Sequence, residues 1–307
     1  MRVLRTPDEA FTGLSDTGFT FGPHYVEVPD GEGASLRVHY LDEGPPDGPT
    51  VLLMHGEPSW CYLYRHMIPV LVAAGLRCVA PDLVGFGRSD KPAERGDYTY
   101  ARHVEWMRAA LFDGVGLTDV TLVAQDWGGL VGLRLVAEQA DRFSAVIVAN
   151  TGLPTGDDPP TEAFLAWQRF SQETDQFPVG PIVAAGCREE LPPAVVAAYD
   201  APFPDETYKA GARAFPVLVP TGPDDPAAAA NRRAWQALER WEKPFLTAFS
   251  DGDPITAGGH AAFQRRVPGA AGRRHVTIEG AGHFLQEDRG GELAEVVTRF
   301  VAEGRRP

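Results

Sequence analysis

Asp126 is the side chain in this sequence best placed to make and break a covalent bond. It stands in Ala124-Gln125-Asp126-Trp127-Gly128-Gly129, between an apolar run and a stretch with helical spacing. Small residues two before and two after it suit a tight strand-to-helix turn, which crowds its neighbours and thrusts the central side chain outward. That is the pattern of a nucleophile elbow, with Asp at the nucleophile position. Taken alone, the same Asp reads equally well as the cap of the following helix. Two other segments add chemistry. His55-Gly56-Glu57-Pro58 follows the apolar run Val51-Leu52-Leu53-Met54. A loop at that place can offer a second backbone N–H to an oxyanion, and Gly56 is expected there to supply an unusual backbone angle. His283, in Gly280-Ala281-Gly282-His283-Phe284, follows another strand-like run. Asp126, Asp253 and His283 occur in the order nucleophile, acid, base.

Residues this far apart meet only if the intervening chain builds a sheet that brings its strand ends together. Residues 24–29 and 35–41 alternate apolar and polar, the strand period. Residues 43–50 read as a turn. Short continuous apolar runs at 51–55, 78–82, 119–125 and 145–150 read as strands buried on both faces of a parallel sheet. Between them lie helical stretches near 62–74, 99–112 and 127–140. After residue 150 the rhythm breaks: 151–225 is Pro-rich, with short helical pieces such as 161–170. It resumes with a helix near 227–242, strands at 244–250 and 274–280, and an amphipathic helix at 292–304. The spacing predicts a doubly wound, mostly parallel α/β sheet. Its core domain is expected over 1–150 and 226–307, with an inserted helical cap over 151–225. Asp126, Asp253 and His283 then fall at the carboxyl ends of strands, where such sheets carry their sites.

Composition narrows the partners. The chain has 307 residues, 44% of them hydrophobic, and a formal charge of −14. A basic face for nucleic acid or an anionic membrane is not expected. Three cysteines without CxxC spacing read as reduced thiols. Neither HExxH nor a phosphate-loop spacing is present, so no metal or cofactor is expected. The N-terminus lacks a secretory pattern and no run suits a membrane span, so a cytoplasmic protein is expected, with monomer as the default oligomeric state.

The segments HGEPSWCYLYR, APDLVGFGRSDKP, VAQDWGG, FLAW, YDAPFPDETYKAGARAFP, SDGDPIT and GAGHFLQED together resemble the haloalkane dehalogenases, in the subgroup with an HGEP loop. The likeness spans nearly the whole chain. It implies an α/β-hydrolase fold and hydrolysis of a small halogenated alkane to alcohol, halide and proton, with water as co-substrate. A carboxylate does not usefully attack an amide, but it displaces a good leaving group from saturated carbon. On this resemblance Asp126 is the nucleophile and forms an alkyl ester. His283 is the base that activates water. The N–H groups of Glu57 and Trp127 form the oxyanion hole. Asp253 orients His283. Asp251 is the competitor for that role, and Asp253 is preferred because DPIT resembles the family's acid loop. Relatives sometimes place the acid after the preceding core strand, but Asn150 stands there and cannot carry the charge. Halide leaves without a proton and needs only donors in a dry pocket. Indole N–H groups serve, and Trp127 and the cap's Trp167 are expected to bind it. Phe164 is expected to line the pocket. Trp60 and Trp106 read as core or rim, Trp235 and Trp241 as helix packing.

Two alternatives remain open on the sequence. An epoxide hydrolase would need acidic cap phenols, and Tyr199 and Tyr208 lie in the insert, although both read as structural. A non-catalytic receptor could keep the same residues. A fluoroacetate dehalogenase would need an Arg pair at the nucleophile; Arg88 lies in a loop, and no such pair is evident.

Overall fold

Strands β1 (His24–Pro29), β2 (Ser35–Glu43), β3 (Thr50–Met54), β4 (Arg77–Pro81), β5 (Val120–Gln125), β6 (Phe143–Ala149), β7 (Phe245–Ser250) and β8 (Val276–Ile278) form one eight-stranded sheet. The computed structural model describes residues 1–304. The spatial order is β8-β7-β6-β5-β3-β4-β2-β1. The two ladders that join β1, β2 and β4 are antiparallel and the others parallel. Burial follows from position. Central β5 is buried at every residue, so it reads as an unbroken apolar run, whereas edge strand β1 is mostly solvated.

Helices α1 (Ile68–Ala73), α2 (Tyr100–Arg108) and α3 (Trp127–Glu138) connect the strands of the first half. Between β6 and β7 the chain carries α4 (Glu162–Glu173), α5 (Val179–Ala185), α6 (Pro193–Asp200), α7 (Ala210–Leu218) and α8 (Ala228–Leu238). Here α4 packs on α7 and α5 on α6, while α8 returns to pack on α3. Helix α9 (His260–Arg266) lies between β7 and β8, and α10 (Leu285–Gly304) closes the described chain against α1. Among the described residues no helix is long and apolar enough to cross a membrane.

The structure differs from the spacing in four places. The helix expected near 62–74 is a short turn, Cys61–Tyr64, followed by α1, because Pro69 favours a helix start over a helix interior. The helix expected at 99–112 ends as α2 at Arg108 and widens into a π-helical segment, Ala109–Gly114. The strand expected at 274–280 shrinks to β8. The final helix starts earlier, at Leu285, and kinks at Arg289.

One buried ion pair ties core to insert. Arg65 donates to both carboxylate oxygens of Glu287, at 2.5 and 2.7 Å, and both side chains are 2% exposed. The hydroxyl of Tyr199, from α6, donates to the same carboxylate. The Arg65 guanidinium also lies 4.0 Å above the Tyr62 ring. Glu287→Ala should therefore strand a buried guanidinium and cost about 3–5 kcal/mol, read as a lower urea midpoint. Tyr199→Phe, which removes one hydrogen bond, should cost about 1 kcal/mol. An unchanged midpoint for Glu287→Ala would contradict this account of the core–insert joint.

Candidate active site

At the end of β5 the chain turns through Asp126 with φ 51° and ψ −126°. A side-chain-bearing residue rarely adopts that conformation, at a cost of roughly 1–3 kcal/mol. Its neighbours enforce it. Asp126 N donates to Asn150 O at 3.0 Å, and Thr151 Oγ1 donates to Asp126 O at 2.6 Å. A Cβ at Gly128 would lie 2.0 Å from Met54 O, and one at Gly129 2.1 Å from Thr151 Oγ1. The crowding read from the sequence is thus the crowding of α3 against β3 and the Asn150 turn.

The loop after β3 meets the elbow. Glu57 N donates to Asp126 Oδ1 at 2.7 Å. His55 pins that loop: its Nδ1 lies 2.8 Å from Gly56 O and its Nε2 accepts from Leu83 N at 2.9 Å. Burial lowers the pKa of this ring, consistent with a neutral imidazole that donates at one nitrogen and accepts at the other. The expectation for Gly56 is corrected. Its φ is not positive; a Cβ there would lie 2.3 Å from Asp126 Oδ1. Glycine is required by close approach to the carboxylate, not by backbone angle. Trp127 opens α3, so its N–H has no intrahelical acceptor.

His283 sits between β8 and α10. Its Nδ1 is 3.0 Å from Asp253 Oδ2 and its Nε2 3.6 Å from Asp126 Oδ2. The second distance is too long for a direct hydrogen bond. Burial alone would lower the imidazole pKa, but the carboxylates of Asp253 and Asp126 outweigh it and push it up to about 10. Asp253 also accepts from Ile255 N at 2.9 Å and Thr256 Oγ1 at 2.5 Å. Burial works against its charge, yet His283 and these donors hold its pKa below the usual value. Asp251 turns elsewhere: it accepts from Gly280 N at 2.9 Å and is exposed. Of the two candidates, only Asp253 contacts the imidazole.

Backbone anchors fix the His283 loop. His283 N donates to Gly186 O, at the end of α5, at 2.7 Å. Asn150 Nδ2 donates to Gly282 O and His283 O at 2.9 and 3.0 Å. Asp288 accepts from Gly282 N at 2.8 Å, Arg188 N at 3.0 Å and Glu189 N at 2.9 Å. Asn150, unable to serve as the acid, is a clamp instead.

A cavity of about 1030 Å³ opens over Asp126, lined by Glu57, Trp127, Phe164, Trp167 and His283 among others. The Trp127 ring is wedged between Phe215 at 4.4 Å and Tyr100 at 5.0 Å, and its Nε1 has no hydrogen-bond partner among the described residues. Trp167, on α4, packs against Phe177 at 5.7 Å and Phe170 at 5.9 Å. Trp60 and Trp106 are buried in the core. Trp235 borders the cavity but spends its N–H on Leu153 O, at 2.7 Å. Tyr199 is buried on Glu287, and neither it nor Tyr208 lines the cavity. The Arg88 guanidinium lies 4.0 Å above the Phe11 ring, where it cannot clamp a substrate carboxylate at Asp126.

Two contributors escaped the sequence reading. Glu57 stands out in the sequence for its N–H, yet its carboxyl is also buried beside Asp126, and its Oε1 has no partner. Burial, then the charge of Asp126, raise its pKa well above the usual carboxyl range, while His283 and the Trp167 indole act the other way. Gln125, one residue before the nucleophile, is buried against His283. No sequence signal marks either contact, because both depend on distant loops. Elsewhere His39, Cys61 and Asp82 cluster closely enough to suggest metal ligation. However, Asp82 is already saturated by His39 Nδ1, Cys61 N and Arg88 N at 2.7–2.8 Å, and burial pushes the Cys61 thiol up, away from thiolate. The cluster holds the 82–91 loop.

A family model described as the alpha/beta hydrolase fold matches residues 49–290. The chain is 58% identical over 306 residues to a haloalkane dehalogenase of Psychrobacter cryohalolentis, covering 100% of both chains. It is 54% identical to one of Mycobacterium marinum, covering 96% of this chain and 98% of that one. Among solved structures, the tetrameric haloalkane dehalogenase DpaA from Paraglaciecola agarilytica NO2 superposes with a TM-score of 0.87, at 39% identity, covering 96% of this chain and 97% of that one.

The geometry separates the two acidic candidates. Asp253→Asn should lower hydrolytic turnover by about 10⁴, as loss of the orienting carboxylate does in a hydrolytic triad. Asp251→Asn should leave turnover near the parent's. Equal losses would contradict the assignment drawn from the contacts.

Proposed function

The chain belongs to the haloalkane dehalogenase family of α/β-hydrolases and hydrolyses carbon–halogen bonds, and from that premise we propose that Asp126, His283 and Asp253 carry the reaction, with Trp127 and Trp167 receiving the halide. The observation that carries this reading is the division of the Asp126 carboxylate. Oδ1 is held by the Glu57 N–H, while Oδ2 faces His283 across 3.6 Å at the floor of the cavity.

Oδ2 attacks the carbon bearing the halogen in line, the C–O bond forming as the C–X bond breaks. The halide departs with the electron pair, toward the two indole N–H groups. Burial and the Asp126 charge disfavour ionisation of the Glu57 carboxyl beside it, which limits the negative charge set against the halide. Esterification removes the Asp126 charge, one of the two that favour the His283 imidazolium, so His283 sheds its proton and becomes a base. It then takes a proton from water as the water oxygen attacks Asp126 Cγ. Negative charge gathers on Oδ1, where the N–H groups of Glu57 and Trp127 serve as donors. On collapse His283 gives that proton to the departing alkoxide as alcohol, and the proton of the regenerated carboxyl returns His283 to its imidazolium, so the one proton released to solvent is the one His283 shed after esterification. The sum is R–X + H₂O → R–OH + X⁻ + H⁺. The helices over 151–225 act as a cap that keeps this chamber dry, and a dry chamber strengthens each of these electrostatic contacts.

A burst experiment tests the assignment. His283→Phe should release one equivalent of bromide per enzyme and stop, with an alkyl ester on the Asp126 peptide detectable by mass spectrometry. Continued turnover would contradict the role of His283, and a burst from Asp126→Asn would contradict that of the nucleophile. The cavity makes a second prediction. It lies at the upper end of the range for small-molecule sites, and its Phe, Trp and Pro lining is apolar. Each buried methylene contributes about 0.8 kcal/mol. From 1-bromobutane to 1-bromohexane, kcat/KM should rise by up to about fourfold per carbon. A fall along that series would contradict the chamber's inferred reach.

A further inference from the structure

Gln125 is the last residue of β5 and is fully buried. Its Nε2 lies 3.0 Å from His283 Nε2 and 3.2 Å from His283 O, so one amide nitrogen faces a carbonyl acceptor and a ring nitrogen that accepts only when it carries no proton. The carbonyl decides which way the amide faces: turned over, Oε1 would meet His283 O, oxygen against oxygen. That carbonyl is itself fixed by Asn150 Nδ2 at 3.0 Å. Gln125 Oε1 is buried without a partner, an unfavourable position for an amide whose purpose is packing alone.

We propose that Gln125 is a positioning residue for ester hydrolysis, its amide N–H favouring the His283 ring in which Nε2 carries no proton. Nε2 accepts from Gln125 only when it carries no hydrogen. The contact therefore selects the tautomer with the proton on Nδ1, aimed at Asp253, and opposes the imidazolium, whose Nε2–H would face a donor. Other groups around the ring act differently. Asp253 and Asp126 favour the charged form, burial and Asp126 disfavour ionisation of Glu57 beside them, and Asp288 on α10 is committed to backbone N–H groups. Arg188, from the segment after α5, lies against Gly252. Once the ester neutralises Asp126, Gln125 is the contact that completes the release of the Nε2 proton. This division of labour leaves alkylation to Asp126 and assigns Gln125 to the second step.

The proposal rests on His283 being the base, and the experiment separates the two. Gln125→Met removes the donor at similar length, and Gln125→Glu keeps the shape while adding charge. Rapid mixing with 1-bromohexane should show the parent's bromide burst in both variants. The midpoint of hydrolysis against pH should move up by about one unit in Gln125→Met and further in Gln125→Glu, with the rate recovering at high pH. A uniform loss of rate with the parent's midpoint, in whichever variant folds, would overturn the proposal. In the otherwise native protein, Asp126→Asn imitates the uncharged ester. ¹⁵N spectra of its labelled histidines at neutral pH should show His283 protonated at Nδ1 only; a proton on Nε2 would overturn the proposal even if neither Gln125 variant folds. If His283→Phe fails to trap an ester, the base assignment itself falls. If it traps one and the midpoints stay fixed, only Gln125's role falls.

Discussion

The strained turn at Asp126 is the constraint around which the other contacts are arranged. A carboxylate at the end of an ordinary strand would lie along the sheet face; at φ 51° it stands clear of the strand end and faces the cavity. Holding it there requires β3 and the Asn150 turn to close on it so tightly that Gly56, Gly128 and Gly129 have no room for a Cβ. The same closure delivers the Glu57 N–H to Oδ1. Asn150, at φ 37°, is the second strained residue of the site, and its side chain reaches the β7 end and the His283 loop. Strain in two adjacent strand ends is thus converted into the registration of Asp126 and His283.

Electrostatics then sets the order of events. Asp126 and Asp253 flank one imidazole in a buried setting, so its affinity for a proton depends on whether Asp126 is charged. Alkylation changes that charge. On the proposed mechanism, His283 thereby becomes available as a base when the ester that needs one has formed. The insert shares the same joints: Gly186 O receives the His283 N–H, and Asp288 holds Gly282 together with Arg188 and Glu189. Movement of α5 would therefore be felt at the base.

Much of this was legible in the sequence. The elbow announces itself because crowding demands small residues at fixed offsets, and the parallel sheet because its strands are buried on both faces. The resemblance supplied Trp167, and helical spacing from it Phe164, and both lie in the cavity wall. What stayed hidden depends on contacts between distant segments. Gly56 looked like a conformational device and is a spacing device. Glu57's carboxyl and Gln125's amide look like ordinary polar residues until the loops around them remove water. The short helices α5, α6 and α9 were unreadable because seven or eight residues carry too little periodicity, and prolines interrupt α5 and α6.

The central claim is that oxygen from Asp126, not from water, first joins the carbon. A single turnover in ¹⁸O-water, with enzyme in excess over 1-bromohexane, measures this directly. The account predicts unlabelled alcohol and ¹⁸O in the peptide containing Asp126. Labelled alcohol with an unlabelled Asp126 peptide would mean that water attacks the substrate directly, and the ester mechanism would be wrong.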